Sequence, residues 1–103
     1  MLISAAFDAG GVVGVASDKL GSCVYSKVND FSSASESADV SVRAALASCL
    51  SERVTLRVAT EKFVTSSGGS KEAAAKSYDM MVDAVRDEAL VRIVTARAKN
   101  AKD

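Results

Sequence analysis

The sequence predicts a mostly α-helical single domain, in which two long helices pack as an antiparallel hairpin and a glycine-containing N-terminal segment lies across them. Apolar side chains recur at three-and-four spacing in residues 33–65 and again in residues 71–101. The chain contains no proline, so no helix is broken for that reason. Its 103 residues are enough for one domain with a core and too few for two.

The N-terminal segment, residues 1–31, is compatible with more than one structure. Short apolar runs within 12–16 and 23–28 fit the strands of a hairpin, whereas the first residues of the chain fit one or two helical turns. A further strand at 90–95 would give a ββαβαβ order and an α+β sandwich. This α+β fold is the alternative to the helical one.

The first long helix is predicted to span residues 33–65. Ser33 and Glu36 have the S-x-x-E spacing with which two side chains satisfy exposed amides at a helix start. The apolar face that follows carries Cys49 toward the core. Residues 53–64 also show partial alternation of apolar and polar side chains, as in a strand, but the helical stripe continues through them and helix is favoured.

The second long helix is predicted to span residues 71–101, after a Gly/Ser turn at 66–70. The segment is rich in good helix formers and has no interior glycine or proline. Four of its apolar residues lie beside or beyond the main stripe, as expected if this helix contacts a partner as well as the core. These predicted interface residues are Met80, Leu90, Val91 and Val94.

The segment from Ser67 to Lys76 reads SGGSKEAAAK and resembles a designed joint. It combines a flexible Gly-Gly-Ser unit with a rigid helical Glu-Ala-Ala-Ala-Lys unit. A natural alanine-rich helix start produces the same string. The sequence leaves open whether the segments on either side of this stretch are natural neighbours.

Charge and residue types exclude several classes of function. Thirteen basic and thirteen acidic residues balance, whereas nucleic-acid binders usually carry net positive charge, so no nucleic-acid partner is expected. The chain has no histidine, which removes the commonest general base near neutral pH and the commonest nitrogen ligand of zinc. We therefore expect a protein that is not an enzyme and has no metal or cofactor.

The two cysteines, Cys23 and Cys49, could form one bridge, but spacing alone does not reveal a pairing, and two buried thiols are the default expectation. The apolar N-terminus lacks the basic start of a signal peptide, and Asp8 interrupts it well before a membrane span of about 20 residues. A cytoplasmic protein without a membrane span is therefore expected.

The hexapeptide from Ala47 to Glu52, ASCLSE, resembles the chromophore-attachment stretch of phycobiliproteins. In that family a helix presents a cysteine, followed three residues later by an acid that contacts the bilin. The resemblance implies Cys49 as a thioether anchor and Glu52 as a partner of a pyrrole ring. It covers about one helix, and the paired arginines that precede the family's cysteine are missing here.

These observations predict a non-enzymatic structural or assembly subunit. It would associate with itself or with a larger complex through apolar helix surface. The alternative is a small ligand-binding or chromophore-binding domain, with a cavity near Cys49, Tyr78 and Met81.

Overall fold

The computed structural model describes residues 2–31 and 35–102, with side chains described for 11–31 and 35–101. Four helices account for nearly all of this part of the chain, and no strand occurs in it. The helices are α1 (Leu2–Asp30), α2 (Ala38–Ser48), α3 (Leu50–Ser66) and α4 (Lys71–Lys102). The mostly α prediction is confirmed, and the α+β alternative is not supported.

Helix α1 occupies the N-terminal segment in which short strands were the alternative. Its buried side chains, Ala16, Leu20, Val24 and Val28, recur every four residues and form one continuous stripe. A strand would place neighbouring residues of these runs on opposite faces and divide that stripe. Burial of a helical stripe therefore outweighs the β propensity of the valines.

The predicted helix 33–65 is divided in two at Cys49. The backbone of Cys49 departs from helical torsions, with φ −103° and ψ 35°, and its amide hydrogen is shared between the carbonyls of Ala45 and Leu46. Helix α2 begins after Ser37, whose hydroxyl accepts from the amide of Val40 at 3.3 Å. Ser33 itself lies outside the described residues, but residues 35–37 are not helical, so the predicted start is wrong and Ser37 caps the helix instead.

Residues 53–64 are helical throughout. Leu56 and Thr60, one turn apart, are both buried, so the core stripe continues along α3. The Thr60 hydroxyl donates to the Leu56 carbonyl at 2.7 Å, which satisfies this polar group inside the core.

The turn between α3 and α4 contains the hydrogen bonds that end α3 and those that begin α4. Gly69 donates to the carbonyl of Val64 at 2.8 Å and Gly68 to that of Thr65 at 3.1 Å, the two bonds of a Schellman motif. Gly68 has φ 92°, a conformation that side chains disfavour. The Ser70 hydroxyl then accepts from the amide of Ala73 at 3.0 Å and caps α4.

The core lies where α1 meets the other three helices, with α4 also packed against α2 and α3. It is built mainly of small and medium apolar side chains: Ala16, Leu20, Val24, Val28, Val42, Ala45, Cys49, Leu56, Val85, Ala89 and Ile93. Arg97 joins the far end of α4 to this assembly, because its guanidinium donates to the Phe31 carbonyl and the Ser41 hydroxyl, each at 3.3 Å.

Substitution of two glycines by alanine should change the free energy of unfolding in opposite directions. We expect Gly68→Ala to lower the free energy of unfolding by about 1 kcal/mol, because a Cβ disfavours the positive φ of the turn. Gly14→Ala should raise it by about 0.5 to 1 kcal/mol, because Gly14 is helical and a Cβ there meets nothing within 4 Å. Urea denaturation of both variants measures the two effects. Equal effects of the same sign would contradict this description of the turn.

Candidate functional site

The candidate site is an exposed stripe along α4, which we call the outer stripe. Its larger side chains are more than half exposed: 68% for Met80, 60% for Val91 and 55% for Val94. Exposed alanines extend it between and beyond them. The outer stripe consists of Met80, Ala84, Val91, Val94 and Ala98.

The outer stripe lies opposite the face by which α4 packs on the core. At about 100° per residue, the stripe is centred roughly half a turn around the helix from the buried side chains of Val85, Ala89 and Ile93. The two faces can therefore have separate partners. One face of α4 packs against the core, and the other remains exposed.

Three of the four predicted interface residues share this surface. Met80, Val91 and Val94 lie on the outer stripe, whereas Leu90 is partly buried and packs against the core cluster. The sequence prediction did not include Ala84 and Ala98. A signal for them was present, because Ala84, Val91 and Ala98 follow one another at intervals of seven residues, as in a heptad seam.

Ion pairs border the outer stripe on both sides. Arg86 pairs with Asp83 at 3.2 Å on one side, and Arg92 pairs with Glu88 at 3.0 Å on the other. Asp87, the only charged residue at a stripe position between Met80 and Ala98, lies 3.8 Å from the guanidinium of Arg86. Apart from Asp87, the surface thus has an apolar centre line with polar margins, as many interfaces do.

Arg92 also fixes a contact between α4 and α1. Its guanidinium carbon lies 3.9 Å from the centroid of the Tyr25 ring, a cation–π arrangement. Burial raises the pKa of the Tyr25 phenol; the positive charge of Arg92 opposes this and the negative charge of Glu88 adds to it. The phenol therefore stays protonated near neutral pH and serves as a packing group.

The predicted ligand cavity near Cys49, Tyr78 and Met81 is not one space in this part of the fold. Met81 lines a groove of about 430 Å³ between α1 and α4, beside Tyr25. Tyr78 lines a different groove of about 280 Å³ between α3 and α4. Cys49 lines neither of these two grooves.

Cys49 is instead bonded to Cys23, which joins α1 to the junction of α2 and α3. The default expectation of two buried thiols is therefore wrong. Their Cα atoms are 6.1 Å apart, a distance that a disulfide spans without backbone movement. The Cys49 side chain is fully buried and the Glu52 side chain partly buried, and the Glu52 carboxylate lies within 4.8 Å of both sulfurs. A thioether at Cys49 would first require this disulfide to open.

No protein-family model matches the chain, and comparisons with curated proteins and with solved structures find no match. Within the described residues, no helix has the length and apolar character that crossing a membrane requires. Function is accordingly inferred from the surfaces and side chains of this chain alone.

Proposed function

We propose that the chain is a non-enzymatic structural subunit that assembles with a second copy of itself through the outer stripe of α4. The observation that carries the proposal is the exposure of Met80, Val91 and Val94 in one line on the face opposite the core. A line of this kind extends over about 27 Å of helix between Met80 and Ala98. It suits a second helix lying along it.

The outer stripe is complementary to itself when two copies run antiparallel. In the register centred at residue 89, Met80 of one copy faces Ala98 of the other, and Ala84 faces Val94. Large side chains thus meet small ones, so that the two helices can approach closely. The same patch serves both copies, as a twofold-symmetric interface requires.

Asp87 faces Val91 in the same register. A carboxylate near the centre of an apolar seam lowers stability and favours one alignment over others. Arg86, which approaches Asp87 to 3.8 Å within its own chain, partly offsets the charge. We therefore expect a reversible dimer that depends on concentration.

We also propose that α3 and α4 form an antiparallel hairpin, with the outer stripe on the side of α4 that faces away from the core. Its support is the groove between these helices. Arg57, at the middle of α3, and Glu61, one turn further along, share that groove with Lys71 and Tyr78, near the start of α4. The short turn of Ser67 to Ser70 is consistent with neighbouring helices of opposite direction.

Two charge substitutions at Val91 test the interface and its register. Val91→Glu should weaken dimerisation about tenfold or more, because it places a second carboxylate opposite Asp87 of the other copy. Val91→Lys should weaken it less, because its ammonium can pair with that carboxylate. Sedimentation velocity over a range of protein concentrations measures both.

The matched control is Val58→Glu, because Val58 on α3 is 59% exposed and lies outside the outer stripe. This variant should dimerise like the unmodified chain. A monomer at all concentrations, or equal weakening by Val58→Glu and Val91→Glu, would overturn the proposal.

The disulfide also bears on where such a subunit resides. Structural disulfides persist in oxidising compartments and are rare in the cytosol, where thiols are kept reduced. The Cys23–Cys49 bond thus favours an oxidising compartment over the cytoplasm that the sequence suggested. Labelling of free thiols in protein taken directly from the cell distinguishes the two locations.

A further inference from the structure

We propose that Cys23, Cys49 and Glu52 form a zinc site when the disulfide is reduced. The two sulfurs and a carboxylate oxygen of Glu52 all lie within 4.8 Å of one another. Two thiolates bound tetrahedrally to one zinc ion are about 3.8 Å apart, given Zn–S distances of about 2.3 Å. In the oxidised chain the two sulfurs are bonded to each other, so reduction must let them separate to this distance, whereas the Glu52 carboxylate already lies beside both.

The donor types suit zinc among the divalent metals. Thiolates select zinc over magnesium and calcium, and a carboxylate is an accepted third ligand. Three protein donors leave the fourth tetrahedral position to water. A groove of about 190 Å³, lined by Glu52 together with Ser51 and Thr55, opens beside the cluster and can admit that water.

Charge at the cluster also favours a bound cation. Two thiolates and one carboxylate carry three negative charges, so a zinc ion leaves the site with one negative charge in excess. Lys19 of α1 lines the same groove as Glu52 and supplies a positive charge that offsets it.

Opening the site requires a two-electron reductant. A dithiol that reacts with the chain would donate two electrons and two protons to the disulfide, leaving two thiols and becoming a disulfide itself. In the test a phosphine does the same, since it becomes the phosphine oxide, and water provides the oxygen and the two protons. Each cysteine then releases its proton as its thiolate binds zinc.

The experiment titrates Co²⁺ into the phosphine-reduced chain and records thiolate-to-cobalt charge-transfer absorption, followed by displacement with Zn²⁺. Glu52→Gln should weaken cobalt binding about tenfold or more, since even the loss of a group that only supports a metal ligand acts on that scale. Cys23→Ser should abolish the absorption. Glu61→Gln, on the same helix and away from the sulfurs, is the matched control and should bind like the unmodified chain.

If reduction unfolds the chain, circular dichroism provides the readout. Zn²⁺ should restore helix in the reduced protein, whereas Mg²⁺ should not. The proposal is overturned if the reduced, helical chain shows no charge-transfer absorption. It is equally overturned if Glu52→Gln binds cobalt like Glu61→Gln, or if zinc restores no helix to an unfolded reduced chain.

Discussion

Loss of the Cys23–Cys49 bond is expected to lower the free energy of unfolding by about 3.5 kcal/mol, the cost of releasing a 26-residue loop in the chain-entropy model. The unfolded chain gains freedom when the cross-link is cut, while the helices keep their other contacts. This loss is a large share of the total stability of the chain, because its core is built from small side chains, which remove little apolar area each.

The measurement compares urea denaturation of the oxidised chain with that of Cys23→Ala, in the presence of a metal chelator so that no reduced-state site contributes. Phosphine should destabilise the unmodified chain and leave Cys23→Ala unchanged, which makes the variant its own control. An oxidised chain whose midpoint is insensitive to phosphine would contradict a stabilising disulfide.

The contrast between α4 and α1 shows what sequence patterns could predict. Helix α4 spans Lys71–Lys102, against a predicted 71–101, because strong helix formers and a regular apolar period agree over this whole stretch. In α1 the local signals conflict, since Gly11 and Gly14 adjoin a run of valines. In α1 the helix is stabilised by the apolar stripe at every fourth residue. That stabilisation depends on burial against helices elsewhere in the chain.

Sequence patterns could not predict the helix break at Cys49 or the disulfide partner of its sulfur, because both depend on tertiary contacts. No glycine or proline lies near Cys49 to indicate that a helix ends there. Its bond to Cys23 depends on how α1 crosses the α2–α3 junction, which is a tertiary contact. The proximity of Glu52 to both sulfurs follows from the same crossing.

The candidate interface was more accessible to sequence reasoning. Apolar residues in excess of one core stripe predict an exposed surface, and Met80, Val91 and Val94 are exposed. Leu90 differs because it lies at the edge of the core face, where a small change in helix rotation decides between burial and exposure. Periodicity of 3.6 residues per turn does not determine that rotation.

The neighbouring residues Ile93 and Val94 should separate the two faces of α4. Ile93 is completely buried, so Ile93→Ala removes apolar contact and leaves a cavity, and we expect it to lower the free energy of unfolding by about 2 to 5 kcal/mol. Val94 is 55% exposed, so Val94→Ala should change stability by less than about 0.5 kcal/mol. Urea denaturation at a concentration where the chain is monomeric measures both effects.

The same pair then discriminates folding from assembly. Val94→Ala should weaken dimerisation, because it replaces the isopropyl group of valine on the outer stripe by a methyl group. The stability of the monomer should stay as before. Ile93→Ala should show the opposite pattern as long as the variant is folded. If Val94→Ala destabilised the monomer as much as Ile93→Ala, the outer stripe would belong to the folded core, and α4 would have no free face with which to assemble.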